Sequence, residues 1–415
     1  MRKVLVCNIG QLATPMGNSA KKGKAMREIK KIDDAAVYIE DGIIKKVGTE
    51  KEILKEVPKN CVDQVIDANG NAVIPGFVDS HTHFIFGGYR EDEFISRIEG
   101  VPYLELLKAG GGIQSTVQDT REETKESLKK KGLQRMQEMF RQGVTTMEGK
   151  SGYGLDKDCE LKMLEIMQEL QKEHPLDLSF TYLGAHAVPK EYMGNSKKYV
   201  EFMKKEMLPY IKDNHLAEFC DVFCEDSVFS IEESRELLCE AKRLGFSLKM
   251  HADEIVCLDG AKLAAELGAV SADHLLMISE DGIKAMAESE TVATLLPNTA
   301  FCLKKEYAPA RKLIDQGVAV ALASDYNPGS CFANSVPLML ALAVIHMDMT
   351  MEEALTAMTL NGAAAVNRAD SVGSIEVEKK ADMLILEYPS YKFLVYHTGS
   401  NVVSKVIKNG TLYSI

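Results

Sequence analysis

His81 and His83 are separated by a single residue in the segment VIPGFVDSHTHFIFGG, which spans residues 73–88. In an extended strand, residues i and i+2 point to the same face, so both imidazoles can bind one metal ion while Thr82 faces away. Neutral imidazole is a good ligand for Zn²⁺ or iron, and a catalytic site needs further protein ligands and an open position for water. A satisfied surface pair is the alternative, but His251 in HADE and Asp325 in SDYN offer the missing ligands and favour a metal centre.

More polar residues follow the apolar runs in the middle of the chain, at the points where predicted strands end. They include five of the nine histidines. The set is Asp79, His81, His83, Glu148, Lys150, Tyr153, His186, Glu225, Asp226, His251, Asp253, Glu254, Asp273, His274, Asn298, Asp325 and Asn327. If the strands are parallel, these side chains meet at one edge of the sheet, as catalytic groups do in barrel enzymes.

Predicted strands and helices, which must position these polar residues, alternate regularly. Apolar runs rich in β-branched residues occupy residues 71–78, 144–148, 178–183, 220–225, 247–250, 269–272, 291–296 and 318–323. Amphipathic helical patterns lie between the runs, and several of them end in a glycine suited to a C-cap. Eight alternations predict an α/β fold with a (β/α)₈ barrel. A doubly wound open sheet is the alternative, but no GxGxxG follows the first strand to support it.

The two ends of the chain have a different residue pattern from the middle. Residues 1–70 and 370–415 contain short apolar segments broken by Gly, Asn or Asp, which is typical of hairpin strands. We predict that residues 1–70 and 370–415 together build a small β-sandwich domain and that residues 71–369 form the barrel. Gly110–Gly112 is predicted to be either a turn or a mobile substrate loop.

Composition narrows the class of protein. The 415 residues are 46% hydrophobic and 27% charged, with a formal net charge of −12, which argues against nucleic acid as a partner. No apolar stretch reaches 18 residues and no signal-peptide pattern is visible, so neither a membrane span nor export is expected. Nine scattered cysteines without a CxxC pair fit reduced thiols in a cytoplasm. Cys220 and Cys224 are predicted to pack in the core rather than to bind metal.

Four segments, PGFVDSHTH, HADE, SADH and SDYNPGS, resemble in this order the motifs of the metal-dependent amidohydrolase superfamily. Other segments are similar to the imidazolonepropionase family within it: HTHFIFGGYREDEF, YLELLKAGGGIQSTV, KSGYGL, LGAHAVP, CDVFCE and AAELGAVSADHL. The resemblance covers most of residues 70–335, and the terminal segments resemble the family's accessory domain. It implies a ring-opening hydrolysis that converts 4-imidazolone-5-propanoate and water into N-formimidoyl-L-glutamate.

The resemblance also assigns roles to residues. It implies one Zn²⁺ or Fe³⁺ ion per subunit, bound by His81, His83, His251 and Asp325. Implied substrate contacts are Arg90, Tyr153, His186, Glu254, Asn327, Gly329 and Ser330, and the implied catalytic residues are Asp325, His274 and Glu254. In this reading Asp325 accepts a proton from water, His274 donates to the carbonyl oxygen, and Glu254 carries a proton to the departing ring nitrogen. Arg90 offers a planar fork suited to the propanoate carboxylate.

Each role has a structural alternative. Arg90 could pair with Glu91 or Asp92 at the surface, Tyr153 could only shape the SGYG turn, His186 could be a core histidine, and Glu254 a solvated loop acid. Lys150 could be carboxylated to bridge two metals, although its match to KSGYG makes this less expected. Gly149 and Asn298 depart from the family's pattern and are the first candidates if the substrate differs.

Whole-protein alternatives also remain. The first is another mononuclear hydrolase or deaminase of the same superfamily, acting on a cyclic amide or an aminated ring. The second is a scaffold that kept the barrel without activity. Arg90 and Tyr153 favour an anionic small molecule as substrate, and the full set of ligands argues against the scaffold. A homodimer is predicted because symmetric dimers are the commonest assembly.

Overall fold

The computed structural model describes residues 2–101 and 111–414, so Gly110, the first glycine of the predicted loop, lies outside the described residues. The described chain forms two eight-stranded sheets with helices between their strands. The strands are β1 (Lys3–Pro15), β2 (Ile29–Glu40), β3 (Ile43–Thr49), β4 (Gln64–Asp67), β5 (Ala72–Pro75), β6 (Phe77–Asp79), β7 (Val144–Lys150), β8 (Asp177–Ala185), β9 (Phe219–Cys224), β10 (Ser247–Ala252), β11 (Ser271–His274), β12 (Val292–Leu295), β13 (Val320–Leu322), β14 (Met383–Leu386), β15 (Val403–Lys408) and β16 (Thr411–Ser414).

Strands β6 to β13 lie side by side in chain order, and each pairs in parallel with the next. An isolated parallel bridge between Thr82 and Tyr326, just beyond β6 and β13, brings the first and last strands together. Its hydrogen bonds run from the His83 amide to the Tyr326 carbonyl at 2.9 Å and from the Asp325 amide to the His81 carbonyl at 3.0 Å. The predicted (β/α)₈ barrel is confirmed, and its closure runs through the predicted metal ligands.

The helices include those predicted from amphipathic patterns, at Lys125–Arg141, Lys157–Glu173, Ile231–Arg243 and Gly260–Leu267. They span Glu50–Glu56, Glu91–Ile98, Ile113–Glu122, Lys125–Arg141, Lys157–Glu173, Ser196–Phe202, Leu208–Asp213, Ile231–Arg243, Gly260–Leu267, Glu280–Glu288, Pro297–Cys302, Ala310–Asp315, Val336–Ile345, Met351–Met358, Leu360–Ala364 and Phe393–Tyr396. Side-chain caps fix several starts; the Asp156 carboxylate, for example, accepts from the Cys159 amide at 2.8 Å. The long helices cover the barrel, where Cys220 and Cys224 are buried in the main core as predicted.

The strand predicted over residues 71–78 is wrong as a single element. Ala72–Pro75 joins the terminal sheet, where it pairs with β1 and β14, and only Phe77–Asp79 belongs to the barrel. The chain passes from the terminal sheet to the barrel at Gly76. Only glycine fits at this position, because a Cβ would lie 2.2 Å from the Thr145 hydroxyl oxygen. Pro75 has no N–H for a ladder bond and suits a point where pairing ends.

The terminal sheet draws on both ends of the chain. Its order is β16–β15–β14–β5–β1–β2–β3, with β4 paired in parallel to β1. These strands, predicted as a β-sandwich, are joined by hydrogen bonds in one continuous mixed sheet around their own apolar cluster. The division into residues 1–70 with 370–415 and residues 71–369 stays our proposal.

Within the described ranges, no helix combines the length and apolar character that crossing a bilayer requires.

Candidate active site

Four predicted ligands converge at the carboxyl ends of barrel strands. His81 and His83 follow β6, His251 lies in β10, and Asp325 follows β13. The His83 Nε2 atom is 3.3 Å from His81 Nε2 and 3.4 Å from His251 Nε2. The Asp325 Oδ1 atom is 3.5 Å from His81 Nε2 and 3.6 Å from His83 Nε2, and all four side chains are buried. As predicted from the i, i+2 spacing, Thr82 faces away and donates to the Glu148 carbonyl at 2.6 Å.

Two aspartates stand behind these histidines, one hydrogen-bonded to the His81 ring and the other within ion-pair distance of His251. The Asp273 Oδ2 atom lies 2.6 Å from His81 Nδ1, and the Asp221 Oδ2 atom lies 3.0 Å from His251 Nδ1. A carboxylate at Nδ1 favours the tautomer with its proton there, which leaves Nε2 free as a ligand atom. Asp221 was missed in the sequence because its segment, CDVFCE, has the apolar neighbours of a core strand.

Lys150 connects the two aspartates. Its Nζ atom is 2.7 Å from Asp221 Oδ2, 3.0 Å from Glu148 Oε2 and 3.6 Å from Asp273 Oδ2, and none of these side chains is exposed. Burial by itself lowers the pKa of Lys150, but the three carboxylates outweigh it and raise that pKa. A charged ammonium with these contacts is not available for carboxylation, which favours a centre with one metal ion.

Asp325 has a second contact that holds it at the centre. The Thr299 hydroxyl donates to Asp325 Oδ2 at 2.7 Å, so Oδ1 is left to face the imidazoles. Asp325 also adopts a left-handed backbone with φ of 51°, a conformation that costs a non-glycine residue energy and recurs at functional sites. Burial raises the pKa of Asp325 to about 6.

The centre fits a metal ion by its donor chemistry. The ligand nitrogens of His81, His83 and His251 lie within 4.8 Å of one another, as do ligand atoms of His81, His274 and Asp325. Burial, first among several causes, lowers the pKa values of His81 and His83 well below the usual range, so both rings are neutral and can ligate. Neutral imidazoles and one buried carboxylate, backed by further carboxylates, form the type of site that zinc and iron occupy.

A cavity of about 510 Å³ opens beside this centre. Its lining contains most of the predicted site residues together with several that the sequence reading did not single out. The predicted ones are His83, Arg90, Tyr153, His186, His251, Glu254, His274, Asp325, Asn327 and Ser330, and the additional ones include Glu93, Arg97, Ile113, Phe223 and Lys305. Gly329 lines a neighbouring cavity that shares Arg90.

Arg90 pairs with a different acid from those expected. Its Nε atom is 3.0 Å from Glu93 Oε2, and Nη2 contacts Glu93 Oε1, so the pairing with Glu91 or Asp92 is wrong. Arg97, one helical turn further, points both terminal nitrogens at the Gly329 carbonyl oxygen at 3.4 Å. Its Nε has no hydrogen-bond partner within the described part of the chain. Two guanidinium groups and one carboxylate therefore leave this side of the cavity positive.

Tyr153 and His186 lie together on another wall. The His186 ring stacks on His83 with a centroid distance of 4.9 Å, and its Nδ1 is 3.1 Å from the Gly152 carbonyl oxygen. Burial lowers the pKa of His186 to about 3, so its ring is neutral. Tyr153 is 5.2 Å from His186 between ring centroids, and burial raises its pKa, which keeps the phenol protonated.

Glu254 and His274 lie next to each other in the cavity lining, with 3.6 Å between Glu254 Oε1 and His274 Nδ1. Burial, with smaller effects from Asp325 and Glu225, raises the pKa of Glu254 to about 8. Burial also lowers the pKa of His274 well below its usual range. At neutral pH the pair is therefore a protonated carboxyl group beside a neutral imidazole, which suits proton donation.

The DYNPGS loop is organised by its own asparagine. Asn327 Oδ1 accepts from the Gly329 and Ser330 amides, both at 2.8 Å, and Nδ2 donates to the Ser330 hydroxyl at 2.8 Å. The same Nδ2 donates to the Asp325 carbonyl at 2.7 Å. The loop is thereby joined to the metal centre.

Gly149 and Asn298 do not line the cavity. A Cβ at Gly149 would lie 2.6 Å from Phe84 Cε1 and 2.8 Å from Met167 Sδ, so this glycine makes room for packing behind the strand. Asn298 is fully buried and donates to the Ser335 carbonyl at 3.3 Å. The structure gives neither residue a contact with the substrate cavity.

Gly149→Ala is expected to lower the free energy of unfolding by about 1–3 kcal/mol, because an added methyl group must displace a packed ring and a sulfur. Gly48→Ala is the control, since its Cβ would meet atoms only at 3.5 Å or more. Denaturant unfolding of both variants measures the difference. Equal stability of the two variants would contradict the packing role.

Three comparisons place the chain among known proteins. The model of the amidohydrolase family matches residues 72–413. The chain is 54% identical over 409 residues to an imidazolonepropionase of Clostridium tetani, covering 99% of this chain and 97% of that one. It is 55% identical over 412 residues to an imidazolonepropionase of Parabacteroides distasonis, covering 99% of both.

Solved structures share the fold at low sequence identity. A triazine hydrolase from Arthobacter aurescens superposes with a TM-score of 0.77 at 16% identity, covering 99% of this chain and 94% of the other. An adenosine deaminase from Xanthomonas campestris with bound zinc gives a TM-score of 0.72 at 18% identity, covering 100% and 93%.

Proposed function

Because the chain belongs to the amidohydrolase family and, within it, to the imidazolonepropionases, we propose that it uses the cavity described above to hydrolyse 4-imidazolone-5-propanoate to N-formimidoyl-L-glutamate. The chain is thus a hydrolase acting on a carbon–nitrogen bond. The observation that carries the proposed site is that a His₃Asp centre opens onto a cavity with guanidinium groups on one side and a protonated carboxyl group on another.

The family is metal-dependent, and we propose one Zn²⁺ or Fe³⁺ ion per subunit, held by His81, His83, His251 and Asp325. Such an ion lowers the pKa of water and polarises the ring carbonyl. We further propose a cytoplasmic homodimer with a small-molecule substrate as its partner.

The side chains divide the remaining work. Asp325, with Oδ2 held by Thr299, offers Oδ1 as acceptor for the proton of the attacking water. His274 is neutral, and with Nδ1 turned toward the Glu254 carboxyl group its Nε2–H can donate to the carbonyl oxygen as negative charge develops there. Glu254 holds the proton that the departing ring nitrogen needs.

The substrate's carboxylate is assigned to the positive side of the cavity. Glu93 occupies the Nε and Nη2 atoms of Arg90, which leaves Nη1 for the substrate, and Arg97 adds a second guanidinium close to Gly329. Tyr153 and His186, which are neighbours in the cavity lining, are assigned to the ring, and the Asn327–Ser330 loop to the rest of the binding site.

The raised pKa of Glu254 predicts how kcat depends on pH on the alkaline side. Its raised pKa means that the acid form is present below about pH 8 and is lost as pH rises through that value. We expect kcat to fall above about pH 8 in the native enzyme and this decline to vanish in Glu254→Gln, with kcat lowered about 10²- to 10⁴-fold. A kcat–pH series on both proteins measures it. An unchanged alkaline decline in the variant would remove Glu254 from this role.

A substrate panel tests the proposed function against a deaminase of the same fold. The metal-loaded protein is given 4-imidazolone-5-propanoate, the methyl ester of its propanoate group, adenosine and guanine. We expect turnover of the free acid, weak binding of the ester because it cannot pair with Arg90 or Arg97, and no release of ammonia from the purines. Deamination of a purine with no opening of the imidazolone ring would overturn the proposal.

A further inference from the structure

One buried carboxylate holds the loop that presents Tyr153. Glu160 lies in the first turn of the helix Lys157–Glu173 and is 1% exposed. Its Oε1 atom accepts hydrogen bonds from the amides of Gly152 at 3.0 Å, Gly154 at 2.8 Å and Leu155 at 2.9 Å. Oε2 is 3.2 Å from the Gly152 amide. The amides on both sides of Tyr153 therefore donate hydrogen bonds to the same side chain.

The loop needs these hydrogen bonds because its backbone is strained. Gly152 has a φ of 106° and Leu155 a φ of 54°, and the left-handed region is costly for leucine. A Cβ at Gly154 would lie 2.5 Å from the Glu160 amide nitrogen, so the loop and the helix are in close contact. Burial raises the pKa of Glu160, and the hydrogen bonds from Ser151 and from the loop amides oppose that rise because they favour the ionised form. The same hydrogen bonds offset the strain of the loop.

The same loop also orients His186. The Gly152 carbonyl oxygen lies 3.1 Å from His186 Nδ1, which places the proton on Nδ1 and leaves Nε2 as an acceptor. Since Glu160 fixes the Gly152 amide, it indirectly restrains the position of His186 as well as that of Tyr153.

We propose that Glu160 is a positioning residue for substrate binding, which sets the places of Tyr153 and His186 in the cavity without touching the substrate. The inference rests on the proposed function, because it takes Tyr153 and His186 as substrate contacts. The Glu160 Oε1 atom accepts from all three amides, and Oε2 lies near the Gly152 amide as well. Glutamine can keep its carbonyl oxygen at the Oε1 position, but its NH₂ group would then face the Gly152 amide, 3.2 Å from Oε2, and two donors would meet.

The test compares Glu160→Gln with Glu233→Gln. Glu233 is also a buried helical glutamate, but it caps its own helix by accepting from the Ser230 amide at 3.0 Å and does not line the cavity. We expect Glu160→Gln to raise KM about tenfold with kcat changed less than about threefold, since uniform binding is lost. Glu233→Gln should leave both values as they are.

Hydrogen exchange provides a readout that does not depend on turnover. In Glu160→Gln, the amides of a peptide spanning residues 151–156 should exchange about tenfold faster or more, because an NH₂ group facing the Gly152 amide weakens the hydrogen bonds that the loop shares. The same peptide in Glu233→Gln should match the native protein, and metal content should be equal in all three. If Glu160→Gln does not fold, Glu160→Asp, which keeps the charge, takes its place with a smaller rise in KM.

Two results would overturn the inference: an unchanged KM with unchanged exchange over residues 151–156, or an equal loss of kcat and metal in both variants. A failure of the proposed function is separate from these. It would appear as a native protein that does not turn over the imidazolone, while the exchange experiment still reports whether Glu160 holds the loop.

Discussion

Asp325→Asn is expected to lower kcat on the order of 10⁴-fold, the upper end of what a positioned proton acceptor contributes. Asparagine has nearly the same shape, and the Thr299 hydroxyl can still donate to its carbonyl oxygen. What is lost is the negative charge and the ability to take a proton, at an oxygen 3.5 Å from His81 Nε2. Steady-state kinetics with metal analysis of the same preparation measures the effect.

Asp226→Asn is the matched control for this prediction. Asp226 also follows a barrel strand, β9, but it is exposed and does not line the cavity. Native-like kcat in the control with a nearly inactive Asp325→Asn is the expected pair of results. An Asp325→Asn enzyme that retains a tenth of the native kcat would show that another group accepts the proton.

Lys150→Met is expected to have the second largest effect, on stability and on metal affinity together. Removing one partner of a buried charge network leaves carboxylates uncompensated and costs about 3–5 kcal/mol of unfolding free energy. The affected carboxylates, Asp221 and Asp273, also lie against the Nδ1 atoms of His251 and His81. Metal affinity should therefore fall about 10- to 100-fold, as it does when groups behind a ligand are altered.

Lys249→Met separates these two effects. Lys249 is equally buried, and its Nζ binds Glu148 Oε2 at 3.0 Å and the Ser80 carbonyl at 3.0 Å. Its charge also acts on Asp273, but in the described structure it has no hydrogen bond to Asp221, which Lys150 contacts at 2.7 Å. We expect similar destabilisation but a smaller change in metal affinity. Denaturant unfolding and competition with a chelator measure the two quantities. Equal metal affinities of the two variants would contradict a specific role for Lys150.

Much of the site could be predicted from local rules. The i, i+2 spacing of His81 and His83 put both rings on one face, and the polar residues after successive apolar runs predicted where a parallel barrel collects its functional groups. These inferences depend only on strand periodicity and on the shared direction of parallel strands. The eight predicted runs accordingly overlap all eight barrel strands.

Partners far apart in the sequence could not be predicted in this way. Asp273 contacts His81 across 192 residues, and Thr299 contacts Asp325 from a separate helix. Asp221 was hidden by its apolar neighbours, because a buried strand can carry one inward charge without any change in its hydrophobic pattern. The break at Gly76 was missed for a similar reason, since a continuous apolar run fits one strand as well as two.

The partner of Arg90, in the cavity lining, was likewise not predicted from the sequence. Sequence reading offered the adjacent acids as its partners, yet in the helix Glu91–Ile98 the residue three positions on, Glu93, faces the guanidinium. Arg97 lies one turn further along the same helix, which brings a second guanidinium to the cavity. Helical periodicity in this short segment was the signal that could have identified both residues.

The most direct test of the whole account is a turnover measurement on one preparation in three states: as purified, stripped by a chelator, and reloaded with Zn²⁺ or iron. Freshly generated 4-imidazolone-5-propanoate is added, its ultraviolet absorbance is followed, and the product is identified by mass. We expect N-formimidoyl-L-glutamate from the purified and reloaded enzyme, about one ion per chain, and no product from the stripped enzyme. Full activity of the stripped enzyme, or no ring opening with the centre loaded, would contradict it.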